Sequence, residues 1–138
     1  MLTKSIPRYN PPNEAVPSHL SSILLVEPDT DLRDSRRLLL SVLQHPVLAV
    51  SAFGELCKSP ADSNCGLVAV GINAGEHEVL RIAVHTRRTW PNAKILLLGN
   101  LSGDFDDPLY DDAVSSSCNP SRIVESAGKL LRARKWTV

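Results

Sequence analysis

Short apolar runs alternate with longer amphipathic stretches along most of this chain. Five runs have the length of short strands, at residues 23–26, 47–51, 67–72, 95–98 and 113–116. Runs without strict apolar–polar alternation are typical of strands that are covered on both faces of a sheet. The pattern therefore predicts five strands of a parallel sheet.

Helical spacing marks the stretches between these runs. Helices are predicted at 29–45, 53–58, 76–89 and from Ser117 or Asn119 onwards. Asp29 or Thr30 can cap the first helix, and Pro120 suits the first turn of the last. The buried stripes are predicted to be Leu32, Ser35, Leu39, Val42 and Leu43 on the first helix, Val79, Ile82, Ala83 and Thr86 on the third, and Ile123, Ala127, Leu130 and Leu131 on the last.

Strands that alternate with helices indicate an α/β fold with helices on both faces of the sheet. Five strands in a chain of this length predict a flavodoxin-like, doubly wound sheet of strand order 2-1-3-4-5. Because only about one turn of helix fits between Asp106 and Tyr110, the helix before the fifth strand is expected to be short or missing. Ligands of such sheets bind at the carboxyl ends of the strands.

Length and charge narrow the classes of function. The chain has 138 residues and no net charge, which predicts one domain and argues against nucleic acid or an anionic membrane as partner. Residues 1–20 contain four prolines and are predicted to be a disordered arm, followed by a domain over 21–136. The apolar runs are too short to span a bilayer, and no signal peptide is evident, so we expect a cytoplasmic protein.

Four segments resemble the receiver domain of response regulators, the CheY-like family. The segment ILLVEPDTDLR (23–33) is similar to the family's opening I-L-L-V-[DE]-D-D-x-x-x-R, and DDAVSSSCNP (111–120) to its D-D-Y-L-x-K-P-F-x-P. The segments LVAVGI (67–72) and RRTWPNAKILLLG (87–99) match the third and fourth strands of that family. The resemblance implies a module of two-component, phosphorelay-type signalling.

The same resemblance implies a defined chemistry. In receivers an aspartate at the end of the third strand accepts a phosphoryl group, and acidic residues after the first strand join it in holding Mg²⁺. A hydroxyl after the fourth strand and a lysine after the fifth contact the phosphoryl oxygens. The corresponding positions here are Glu27, Pro28, Gly71, Gly99 and Ser116. Four of these five positions, all but Glu27, lack the group that the chemistry requires.

The resemblance therefore implies a degenerate receiver, or pseudo-receiver, and we expect neither enzymatic activity nor a bound cofactor. Glu27 and Asp29 are the residues considered for a metal, although Asp29 is expected to cap a helix and Mg²⁺ is not expected to bind. Two alternatives remain open at this stage. One is a single-domain response regulator with an atypical phosphate-accepting site, and the other is a small-ligand binder at the carboxyl edge of the strands.

A module without chemistry would act through a protein partner or a second copy of itself, as a weak homodimer. One candidate surface is the first helix with Arg33, Arg36 and Arg37. The other, which the resemblance favours, joins an acidic loop to the last helix, and its candidate residues are Asp106, Asp107, Asp111, Asp112, Arg132 and Arg134.

Overall fold

A computed structural model describes residues 21–58, 64–99, 109–115 and 119–135 of the chain. The strands are β1 (Ser22–Val26), β2 (Val47–Val50), β3 (Cys65–Gly71), β4 (Lys94–Leu98) and β5 (Asp112–Val114). The helices are α1 (Thr30–Ser41), α2 (Phe53–Leu56), α3 (Glu76–Thr89) and α4 (Ser121–Lys135), and a 3-10 turn, Ile72–Ala74, follows β3.

The five strands form one parallel sheet in the order β2-β1-β3-β4-β5. All seven residues of the central strand β3 are buried, as the unbroken apolar run predicts. The strand order, the parallel pairing and the helices on both faces confirm the predicted fold class. A helix between β4 and β5 would fall in 100–108, a segment beyond the part of the chain that the structure describes.

Alternate residues of the strands supply two separate cores, because successive side chains of a strand point to opposite faces. On one face α2 and α3 cover a core that includes Leu24, Val26, Leu56, Val68, Val70, Val79, Ile82 and Leu97. On the other face α1 and α4 cover a core that includes Ile23, Leu25, Leu40, Leu67, Leu96, Leu98, Ala127 and Leu131.

The predicted helix α3 is confirmed at both ends, and all four residues of its predicted stripe are buried. The last helix, α4, begins at Ser121, two residues after Asn119, one of the two predicted starting residues. Oδ1 of Asn119 accepts a hydrogen bond from the Ser121 N–H at 3.0 Å, with Pro120 between them. Strand ends shift by a residue or two: β2 ends at Val50, and β5 runs over Asp112–Val114, not over 113–116.

The stripe predicted for α1 is right in part: Leu39 and Leu43 pack against the core, but the other three of its five residues do not. Val42 is 67% exposed, and Leu32 and Ser35 are exposed as well, whereas the buried residues of this helix are Arg36 and Leu40. The sequence pattern assigned arginine to the solvent side. In the structure Arg36 points inward, where the buried Glu27 carboxylate pairs with it, and Leu39, Leu40 and Leu43 face the core beside it.

Candidate functional site

The carboxyl ends of β1, β3 and β4 meet in the middle of the sheet, where the strand order changes direction. The register places Val26 beside Val70 and Gly71 beside Leu98. Glu27 therefore lies next to Gly71, and Gly71 lies beside Leu98, the last residue of β4, which Gly99 follows. The topology brings together three of the residues that the sequence singled out, at the edge where ligands of this fold bind.

The carboxylate of Glu27 is fully buried and has several partners. Its Oε1 accepts a hydrogen bond from Nη1 of Arg36 at 2.5 Å, in an ion pair whose arginine is 5% exposed. Its Oε2 accepts from the Asp29 N–H at 3.0 Å and from Nδ2 of Asn73 at 3.3 Å. A buried charge is tolerated when it is paired and hydrogen-bonded in this way.

Helix α1 holds Arg36 in place over the end of β1. The N-cap of this helix is Asp29, whose Oδ1 accepts from the Leu32 N–H at 3.0 Å. One turn before Arg36, Arg33 donates from Nη1 to the carbonyl oxygen of Glu27 at 3.0 Å. The capping role that the sequence predicted for Asp29 is confirmed.

Gly71 leaves room for this ion pair. A β-carbon at position 71 would overlap Oε1 of Glu27, and would lie 2.8 Å from its Cδ and 3.0 Å from Nη1 of Arg36. Contacts below 3.0 Å are not sustained by real β-carbons, so a side chain here requires the pair to move. The residue that the sequence resemblance equates with the receiver phosphoacceptor is thus a glycine, and the Glu27 carboxylate occupies the space beside it.

Gly99 is covered in a similar way. Its φ is +138°, a conformation that L side chains rarely adopt, and its N–H donates to the carbonyl oxygen of Val114 at 2.8 Å. A β-carbon at this position would overlap Cγ1 of Ile72 and lie 2.7 Å from its Cδ1. The space beside Gly99 is therefore occupied by the side chain of Ile72, from the turn after β3.

Sequence reasoning missed Arg36 as a member of this site, and it did not predict the contacts that Ile72 and Asn73 make here. One signal for Arg36 was present, since it shares a helical stripe with Leu40 and Leu43, at spacings of four and seven residues. Pro28 is exposed at the start of α1 and carries no side-chain oxygen. Ser116, the fifth position of the predicted set, is outside the residues that the structure describes.

Within the described part of the chain, no group of three or more His, Cys, Asp or Glu side chains could hold a metal ion. Of the two residues considered for a cation, Glu27 is paired with Arg36 and Asp29 caps α1. Among the described helices, none combines the length and the apolar composition that crossing a membrane requires.

Two acidic residues of the predicted interaction face make contacts within the chain. Asp111 pairs with Nη2 of Arg87 at 3.0 Å, and its Oδ2 also accepts from the Ile95 N–H at 2.7 Å. Oδ2 of Asp112 accepts from Oγ of Ser126 at 2.5 Å, which ties β5 to α4. Arg132 is exposed on α4. The structure does not describe Asp106, Asp107 or the side chain of Arg134.

The other candidate surface, on α1, does not include Arg36, the middle one of its three predicted arginines. Arg36 is buried against Glu27, so the prediction that it presents its charge to a partner is wrong. Arg33 is half-buried and bonded to the backbone of Glu27, which leaves Arg37 as the exposed member of the three.

Solved structures that superpose on this chain include receiver domains. A CheY-like receiver domain protein from Methanospirillum hungatei JF-1 superposes with a TM-score of 0.72 at 18% identity, over 84% of this chain and 97% of that one. A signal receiver domain from Pseudomonas fluorescens Pf-5 gives 0.69 at 16% identity, over 84% and 98%. The response regulator TrrA from Thermotoga maritima, solved with Mg²⁺ and BeF, gives 0.68 at 24% identity, over 80% and 99%.

No protein-family model matches the sequence, and no curated protein sequence matches it either. At identities below 25% the structural likeness establishes the fold and leaves the activity of this chain to be argued from its own residues. The chain has the receiver-domain fold, with a glycine, an ion pair and an isoleucine at the edge of the sheet described above.

Proposed function

We propose that this receiver-fold chain is a phosphorylation-independent signalling module of a two-component, phosphorelay-type system, and that it acts through protein contacts. The observation that carries the proposal is the Glu27–Arg36 ion pair, which fills the space beside Gly71. A phosphoryl group at this edge would meet a buried carboxylate that is already paired with Arg36, and Gly71 offers no nucleophile of its own. The module has no enzymatic activity of its own in this proposal.

Two alternatives receive less support from the geometry. An atypical phosphate-accepting receiver needs a free carboxylate at the carboxyl edge, and both Glu27 and Asp29 have partners there. A small-ligand binder needs space at the strand ends, and the Glu27 carboxylate and the Ile72 side chain occupy the space beside Gly71 and Gly99. Both alternatives remain outcomes of the experiment below.

The proposal is tested by incubating the full chain with acetyl phosphate and Mg²⁺ and measuring its intact mass. A receiver that has its aspartate serves as the positive control. We expect no adduct, because Gly71 has no side chain to form an acyl phosphate. A stoichiometric adduct that hydroxylamine removes would establish an active receiver and refute the proposal. The same samples, titrated with beryllofluoride, are expected to show no saturable binding.

The proposed partner is another protein or a second copy of the chain, bound in a cytoplasmic setting and without nucleic acid or a membrane. The zero net charge of the chain supports this proposal. So do the exposed basic residues of α4, such as Lys129 and Arg132, which follow the acidic segment 104–112 in the sequence with only β5 between them. A two-fold axis can bring such opposite charges of two copies together. The contact should weaken as salt shortens the Debye length below about 8 Å.

Sedimentation at low and high salt tests this contact, with Arg132→Glu/Arg134→Glu as the variant and Arg88→Glu, on α3 across the sheet, as the control. We expect the double variant to weaken self-association or partner binding at low salt and the control to leave it unchanged. A chain that is monomeric throughout, and whose partner binds the double variant normally, would show that another surface is used.

A further inference from the structure

The residues at this site differ most clearly from those of a receiver in their ability to bind a divalent cation. Mg²⁺ requires near-octahedral coordination by oxygen atoms, and proteins supply carboxylates for it. At the three receiver positions that hold the ion, Glu27 has a carboxylate, while Pro28 and Gly71 offer no side-chain oxygen. The nearby carboxylate of Asp29 accepts the Leu32 N–H at the start of α1. The residues present do not fit a magnesium site.

The Glu27 carboxylate nevertheless remains buried, and a buried carboxylate needs a positive partner or several donors. Arg36 supplies a full charge at 2.5 Å from Oε1, and the Asp29 N–H and the Asn73 amide supply donors to Oε2. Both oxygens of the carboxylate are therefore engaged by groups of this chain. Because guanidinium keeps its charge at every accessible pH, the partner is permanent.

We propose that Arg36 is a built-in counter-ion that takes the place of a divalent cation at Glu27, so that the site neither needs nor admits Mg²⁺. The inference rests on the proposed function, and it adds the reason why the module is independent of metal ions as well as of phosphate. Arg36 is a positioning residue here, because it holds the Glu27 carboxylate in the space beside Gly71.

Gly71 and Arg36 are coupled by the same geometry. A β-carbon at position 71 would lie 3.0 Å from Nη1 of Arg36 and would overlap the Glu27 carboxylate. An aspartate introduced at this position would bring a second carboxylate. Arg36 would compete with a cation for this carboxylate and would weaken cation binding. Removing the guanidinium at the same time leaves two carboxylates together without a counter-ion, which is the arrangement that attracts a divalent cation.

The experiment compares the full chain, Gly71→Asp and Gly71→Asp/Arg36→Met in titrations with Mn²⁺ and Mg²⁺. Mn²⁺ binding is read from paramagnetic broadening of the amide signals of Glu27 and Asp29, and Mg²⁺ binding from the melting temperature. We expect no saturable response from the wild type, a weak one from Gly71→Asp, and binding about tenfold tighter in Gly71→Asp/Arg36→Met. The matched control is Gly71→Asp/Arg37→Met, which removes an exposed arginine next to Arg36 and should behave as Gly71→Asp does.

Saturable Mn²⁺ broadening at Glu27 in the wild type would overturn the inference, and so would equal binding by Gly71→Asp and Gly71→Asp/Arg36→Met. If Gly71→Asp/Arg36→Met does not fold, the wild type and Arg36→Lys are compared in its place, because lysine keeps the positive charge. A melting temperature that rises with Mg²⁺ in either protein overturns the inference. Metal binding without a phosphoryl adduct would refute the inference alone. An adduct on the wild type, at a site that shows no Mn²⁺ broadening, would refute the proposed function alone.

Discussion

Gly71 and the Glu27 carboxylate share one small space at the carboxyl edge of the sheet, where a β-carbon on residue 71 would lie 2.8 Å from Cδ of Glu27. The glycine and the glutamate therefore belong to one arrangement. An acidic side chain introduced at position 71 would have to displace the neighbouring ion pair, which fills the space for it.

The Glu27–Arg36 pair should show strong energetic coupling. Glu27→Gln and Arg36→Met each leave one buried charge without its partner, and each is expected to lower the free energy of unfolding by about 3–5 kcal/mol. The double variant should lose clearly less than the sum of the two, because no lone charge remains. Urea denaturation of the four proteins measures the coupling. Arg37→Met, at an exposed position, should change stability by no more than about 0.5 kcal/mol, and additive losses from the two single variants would contradict the buried pair.

Gly99 should resist any side chain. Gly99→Ala is expected to cost about 1–3 kcal/mol, from the positive φ and from overlap with Ile72. Adding Ile72→Ala should recover the part due to overlap and leave the part due to the backbone. The control is Gly54→Ala on α2, where a β-carbon meets nothing within 4 Å, so that stability should be unchanged or rise slightly. Thermal unfolding of the four proteins checks this, and a Gly99→Ala variant as stable as the wild type would be inconsistent with the geometry.

Arg87 should stabilise the segment that leads into β5. Its guanidinium donates to the carbonyl oxygens of Ala93 at 3.1 Å and Leu109 at 2.6 Å, and pairs with Asp111. Arg87→Met is expected to lower the free energy of unfolding by about 1–3 kcal/mol and to speed amide hydrogen exchange at Ile95. Arg88→Met, at the exposed neighbouring position, is the control. Equal exchange rates in the two variants would show that Arg87 does not hold this segment.

Glu55 should make stability depend on pH in the acidic range. Hydrogen bonds from the Ser51 hydroxyl and then from the Ser51 N–H hold the pKa of this carboxyl below its usual value of 4.5, with smaller contributions from the charges of Arg33 and Lys58. Because the pKa is lower in the folded state, the stabilisation is complete above pH 4.5 and is lost as the pH falls through the folded value.

The stability difference between the wild type and Glu55→Gln should therefore be constant near neutral pH and shrink on acidification. Urea denaturation at several pH values measures it, with Glu76→Gln, an exposed first-turn glutamate on α3, as the control. A difference that does not vary between pH 6 and about pH 3 would contradict the Ser51 hydrogen bonds.

The sequence predicted the fold because its signals are local and periodic. The apolar runs of β1, β3 and β4 arise because these strands are covered on both faces. On α3 the buried residues Val79, Ile82, Ala83 and Thr86 recur every three or four residues, which is the length of one helical turn. Right-handed crossovers between parallel strands then restrict the strand order to few possibilities. The absence of a nucleophile at Gly71 could also be read directly, since a missing side chain needs no structure to be recognised.

Only the tertiary structure decided what replaces the missing groups. Arg36 and Glu27 are nine residues apart, and Ile72 and Gly99 are 27 apart, so neither relation produces a periodic signal in the sequence. The polar character of arginine predicted an exposed position on α1, as it would for most arginines. It was buried instead because the sheet edge contains a carboxylate whose desolvation is offset by a paired charge, and such compensation depends on which residues meet in space.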